Sequence, residues 1–230
     1  MFNPFRKKPE PPKTNKSTSL LMRDTLFGDQ PIETWPRDAS NVAKLEPWSY
    51  FIQAREALQK GEVSTAIQLW QKVTDLPGLE ARHYIQAWHF LRQNGVQPPA
   101  DKAKKVYGVV AEVPMKDGLD LLAAYADFSA RYWNYSGAGV VWEHPNNSLD
   151  EAISLLLKIG QLVADQIGPW DKPRPPIPAA GEIRISMLTP SGLFFGQGPM
   201  NQLANDVMGK PLVGAATNLM LQMTKLPKQQ

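Results

Sequence analysis

Between Val96 and Pro99 the hydrophobic period of this chain changes, and that change limits the available folds more than any other feature. Upstream, from about residue 47, apolar side chains recur at the three- and four-residue spacing of a helix face. Downstream they form short runs separated by turn residues, the pattern of strands. No strand–helix–strand unit recurs along the chain, which argues against a doubly wound parallel sheet.

The helical part divides into three. Pro47 opens a first helix, where its missing N–H is harmless, and Trp48, Phe51, Ile52, Arg55 and Leu58 follow before Gly61. A second helix over about 62–74 carries Ala66, Leu69, Trp70 and Val73 as its stripe. Pro77-Gly78 breaks the chain, and a third helix over about 79–93 places Tyr84, Ala87, Trp88 and Leu91 on one face before Asn94-Gly95.

Ala66, Trp70 and Pro77 stand at the spacing of a familiar motif, and the 47–94 segment resembles a tetratricopeptide-repeat helical hairpin, with Trp70 where that family often has phenylalanine. The first helix departs from the family pattern at Gln53-Ala54 and at Ala57. The resemblance implies a partner-binding surface and no catalysis.

Four short strands are expected over 106–113, 119–126, 130–135 and 138–143, joined by turns too short for anything but antiparallel pairing. With Ser136-Gly137 as a two-residue turn, Arg131, Trp133, Tyr135, Val140 and Trp142 share one face, a candidate partner-binding surface. Ser148-Leu149-Asp150-Glu151 reads as a capping box opening a helix whose stripe runs from Ile153 to Ile167. Five prolines between residues 169 and 178 then favour an extended strap. Alternation over 182–188 turns Ile183, Ile185 and Met187 inward and Glu182, Arg184 and Ser186 outward. A strand at 193–195 and two C-terminal helices follow. The expected order is ααα-ββββ-α-ββ-αα, an α+β protein, divided into an extended basic leader (1–46), a helical module (47–96) and an α+β domain (105–227).

The formal net charge of +3 has a location. Arg6, Lys7, Lys8, Lys13 and Lys16 against Glu10 put four positive charges into residues 1–16, leaving the rest of the chain at −1. A body so close to neutral is a poor match for nucleic acid, whereas the tail, with Phe2 and Phe5, suits contact with a membrane surface. With no cysteine there is no disulfide, thiolate metal site or thiol nucleophile. The absence of cysteine and of a signal-like opening points to a cytoplasmic protein, and no run is apolar enough to suggest a membrane span.

Chemistry-bearing motifs are few. His83 and His89 lie six residues apart on one expected helix, on different faces and at its surface or half-buried, so no shared metal and no cofactor is expected. Glu143-His144 closes a strand and is the candidate for acid–base work. Gly196-Gln197-Gly198 runs from a strand into a helix start and is the candidate anion cradle, although Asn201 replaces the third glycine of a dinucleotide fingerprint. Gly-x-Ser-x-Gly, phosphate-loop and His-Glu-x-x-His patterns are absent. The reading is a non-enzymatic protein–protein interaction module, an adaptor or subunit. The alternative is a small-ligand-binding or enzymatic domain using Gly196, Gly198, Glu143 and His144.

Overall fold

The computed structural model describes residues 18–36, 42 and 44–226. The basic residues of the tail, with Phe2 and Phe5, lie outside the described residues. The elements are α1 (Thr18–Arg23), α2 (Trp48–Gln59), α3 (Val63–Asp75), α4 (Ala81–Gln93), α5 (Ala100–Ala103), β1 (Gly108–Met115), β2 (Gly118–Tyr125), β3 (Ala130–Trp133), β4 (Gly139–Trp142), α6 (Asp150–Gln166), β5 (Glu182–Thr189), β6 (Gly192–Pro199), α7 (Met200–Leu203) and α8 (Gly209–Thr224). The protein is α+β, built on one six-stranded antiparallel sheet in the order β4-β3-β2-β1-β5-β6.

One face of the sheet is covered by helices. Val109, Ala111, Leu122, Ala124, Ile183, Ile185, Met187, Phe194 and Trp142 pack against Ile153, Leu156 and Val163 of α6 and Leu212, Ala216, Leu219 and Met223 of α8. The seven-residue repeat of apolar positions on α6 fits this flat partner, and Gly160 lets the helix approach closely, since a Cβ there would lie 2.8 Å from Val109 Cγ2. Lys104 closes the far end of α6 by donating from Nζ to the carbonyls of Asp165 and Ile167, a cation at a helix C-terminus. The expected capping box does not form: α6 begins at Asp150, and the backbone N–H of Ser148 donates to Asn146 Oδ1 instead.

The opposite face is covered by the chain's own N-terminal segment, α4 and the strap. Leu26 and Phe27 are buried against Val110, Leu121, Ala123, Tyr125 and Leu188. Part of the leader expected to be extended is therefore packed, because these apolar residues close a sheet face that would otherwise be wet. Tyr125 donates its hydroxyl hydrogen to the Leu26 carbonyl at 2.7 Å, and the Gln86 amide both donates to and accepts from the Gln30 backbone at 2.9 Å. Gly28 adopts φ +59°, and a Cβ at that position would lie 2.9 Å from Ile85 Cγ2.

Because this face is covered, Arg184 and Ser186, expected to point to solvent, are buried. Glu112 accepts from Arg23 Nε and from Arg184 Nη1, and the strap carbonyls of Pro175 and Pro176 accept further arginine N–H groups. Proline has no N–H to satisfy, so a proline-rich strap can lie over buried guanidinium groups and offer them acceptors alone.

The helices α2, α3 and α4 form a third cluster, with Phe51, Trp70 and Phe90 fully enclosed and the Trp70 and Phe90 rings 5.3 Å apart. His83, expected at or near the surface, is buried edge-on to Trp48 at 4.6 Å. Helix α4 belongs to both regions: Ala87, Trp88 and Leu91 join this cluster, while Ala81 and Ile85 sit on the sheet.

Candidate ligand cleft

The β3–β4 hairpin differs from expectation by one residue. Trp133 pairs with Gly139, Tyr132 with Val140, Arg131 with Val141 and Ala130 with Trp142. The connection is a three-residue loop, Tyr135–Gly137, with Gly137 at φ +88° and the Asn134 side chain accepting from the N–H groups of Ser136 and Ala138. A one-residue slip moves every side chain of β4 to the other face. Trp142 therefore sits in the helix-covered core, whereas Arg131 and Trp133 face the opposite side. Tyr135 is exposed in the loop, so the five residues expected to share a binding face do not share one.

Nor do the residues of the alternative site converge. Glu143 accepts from Arg131 Nη2. His144 Nε2 lies 2.9 Å from Asp150 Oδ1, and its ring stacks on Phe128 at 5.6 Å. Both residues follow β4, one edge of the sheet, while Gly196 and Gly198 lie within β6, the other edge, about 24 Å away at ordinary strand spacing. The two glycines pair with Ile185 and Ile183 and leave room for Leu203, whose side chain would lie 3.8 and 3.6 Å from a Cβ at each. They are strand positions that admit a leucine, and the helix after them is only four residues long, so the expected anion cradle at a strand-to-helix corner does not form.

A concave feature among the described residues lies elsewhere. A cleft of about 500 Å³ opens where the end of α4, the Phe27–Asp29 segment, the strap and the β5–β6 turn meet. Phe27, Ile85, Leu188, Leu193 and Trp170 supply apolar walls. Trp170 is held by its N–H donating to the Leu193 carbonyl at 2.6 Å, by its indole N–H donating to the Pro173 carbonyl at 3.0 Å, and by edge contact with Phe195 at 5.2 Å.

The cleft is also cationic. Arg174 lies 4.4 Å above the Phe27 ring and is tied to Asp29 at 2.6 Å and to Asp24 at 2.9 Å. Arg92 has no such tie. Its Nη1 donates to the Pro190 carbonyl, and among the described residues no carboxylate hydrogen-bonds to it. Burial pushes the Arg92 guanidinium down to about 10, with Asp29 opposing the shift, so it stays charged at neutral pH. His89, one turn before it, is held below the usual histidine range by burial, against the pull of Asp29 and with help from Arg92 and Arg174.

Of these cleft residues the sequence drew attention only to His89, as a metal ligand to be excluded, and to the strap as an extended crossing. The available signal was the polar triplet His89, Arg92 and Gln93, one surface strip at the end of an otherwise apolar helix. It acquires meaning only when the strap and the β5–β6 turn are placed over it. Among the described residues no cluster of three or more metal-ligating side chains occurs, and no helix is long and apolar enough to cross a membrane. Compared with protein-family models, curated proteins and solved structures, the chain matches none.

Proposed function

We propose that this protein is a ligand-binding module that holds a small molecule in the cleft between α4 and the strap. One observation carries the reading: Arg92 is a half-buried cation at a concave surface with no anionic hydrogen-bond partner among the described residues. A desolvated charge is costly unless something compensates it, and a bound anion does so. The cleft volume falls in the range of small-molecule sites, and its lining joins apolar side chains to ten polar or charged ones. The test is a fragment titration of isotope-labelled protein followed by nuclear magnetic resonance. Amide shifts clustered at Arg92, Lys172 and Leu193 are expected. Fragments that shift residues scattered over the surface, and never these three, would refute the reading.

A second reading, a protein–protein adaptor or subunit, is favoured by a different feature. Leu155 and Leu162, seven residues apart on the outer side of α6, are 46% and 68% exposed. On the α2–α4 hairpin only Val63 among large apolar side chains is comparably exposed, so a partner surface is better sought on α6 than on the repeat-like hairpin. The lack of cysteine supports a cytoplasmic setting for either role. A Leu155→Lys, Leu162→Lys variant that loses a companion protein retained by an Arg92→Gln variant would establish this second role. Equal retention by both variants would dismiss it.

A further inference from the structure

We propose that the cleft selects a monoanionic acid with an apolar body, its carboxylate seated on Arg92 and its hydrocarbon or aromatic part against Trp170 and Leu193. The proposal rests on the reading of the cleft as a ligand site and adds the class of ligand. Three observations lead to it.

The first is the state of the Arg92 fork. Nη1 is engaged by the Pro190 carbonyl, which leaves the Nε–Nη2 edge without a protein partner among the described residues. The Arg92 side chain as a whole is only partly buried and lines the cleft. Two parallel N–H groups on one edge of a guanidinium match the two oxygens of a carboxylate. The second is the distribution of charge. Arg174 is already neutralised by Asp29 and Asp24, and Asp29 and Asp171 themselves line the cleft. With Lys172 also in the lining, three cations stand against Asp29 and Asp171, so the cleft carries one net positive charge and matches one negative charge better than the two or three of a polyphosphate. The third is the wall chemistry. Trp170 and Leu193 offer apolar surface that a small hydrophilic anion would leave unused, and the cleft has room for more than an inorganic ion.

The carboxylate could belong to a free small acid or to the C-terminus of a peptide, and the experiment separates them. Calorimetric titration of the full chain would use 4-phenylbutyrate, its neutral amide, the tripeptide Ala-Ala-Phe with a free C-terminus, the same tripeptide amidated, and adenosine diphosphate. Saturable binding of 4-phenylbutyrate at roughly millimolar affinity or tighter is expected, with a loss of about tenfold or more for the amide and for Arg92→Gln. Tighter binding of the acid tripeptide than of 4-phenylbutyrate assigns the carboxylate to a peptide end, and the reverse order assigns it to a free acid. Equal affinity for acid and amide overturns the proposal on the wild-type protein alone, without relying on the variant's fold. So does tighter binding of adenosine diphosphate. Cleft amides that respond to neutral fragments while no acid binds would overturn the carboxylate and leave the ligand cleft standing. Silence of the cleft toward every compound would remove both.

Discussion

Arg184 donates from Nη1 to Glu112 Oε2 at 3.1 Å, with the arginine side chain 2% and the glutamate side chain 0% exposed. Arg23 reaches the other carboxylate oxygen from α1, so one acid on β1 holds together a helix, a neighbouring strand and, through the Pro175 and Pro176 carbonyls, the strap. That cluster fixes the N-terminal segment and the strap on the sheet, and these two pieces in turn wall the cleft.

Glu112→Ala strands two buried guanidinium groups and is expected to lower the free energy of unfolding by about 3–5 kcal/mol. Replacing Arg23, Glu112 and Arg184 together by methionine or leucine is expected to recover much of that loss, because no uncompensated charge remains. Urea denaturation of the two variants compares them directly. A single variant within about 0.5 kcal/mol of wild type would show that the acid is not needed to satisfy these arginines.

His83 makes stability depend on pH. Burial holds its imidazolium form below the ordinary value of 6.5, with Arg82 acting in the same direction and Glu80 and Asp127 opposing. Above about pH 6.5 both folded and unfolded chains carry a neutral ring and the residue adds no pH dependence. As the pH falls through that value the unfolded chain takes up a proton that the folded one refuses, so stability declines. His83→Phe is expected to flatten the urea midpoint measured between pH 7.5 and 5.5. An unchanged slope would place the titration elsewhere, His89 being the next group held down by burial.

The same substitution on two helices should have opposite signs. Gly160→Ala puts a methyl 2.8 Å from Val109 Cγ2 and 3.3 Å from Met187 Cγ, under a helix pressed on the sheet, and is expected to cost about 1–3 kcal/mol. Gly214, exposed on α8, has open space where a Cβ would go, and Gly214→Ala is expected to add roughly 0.5–1 kcal/mol through helix propensity. Thermal unfolding of both variants checks the pair of signs.

Trp142→Ala tests the hairpin register. Paired with Ala130, Trp142 lies in the core beneath the helices and its removal is expected to cost about 3–5 kcal/mol. Val141, its exposed neighbour on the opposite face, is expected to tolerate alanine within about 0.5 kcal/mol. Comparable losses for the two would contradict the register.

Much of this architecture was legible in the residue order, and what was legible is local. Helix stripes such as Ala66, Leu69, Trp70 and Val73, and the alternation of Ile183, Ile185 and Met187, state which residues belong inside because the period of a helix or strand relates neighbours a few positions apart. The α+β class and the antiparallel pairing of β1 to β4 follow from those periods and from connections too short to cross over. Tertiary structure alone decided what covers each face and where the cleft opens. Arg184 alternates like a solvent-facing residue and became interior only because α1 and the strap, far from it in sequence, lie on top. Trp142 changed faces through one loop residue, a choice made by Asn134 and Gly137 that leaves the strand pattern itself untouched. Asp29, Arg92, Trp170 and Ser191 come from four separate segments and show nothing in common until packing brings them to one rim. Periodicity reports the environment on one element's own sides, whereas a site made between elements depends on distances that no local pattern encodes.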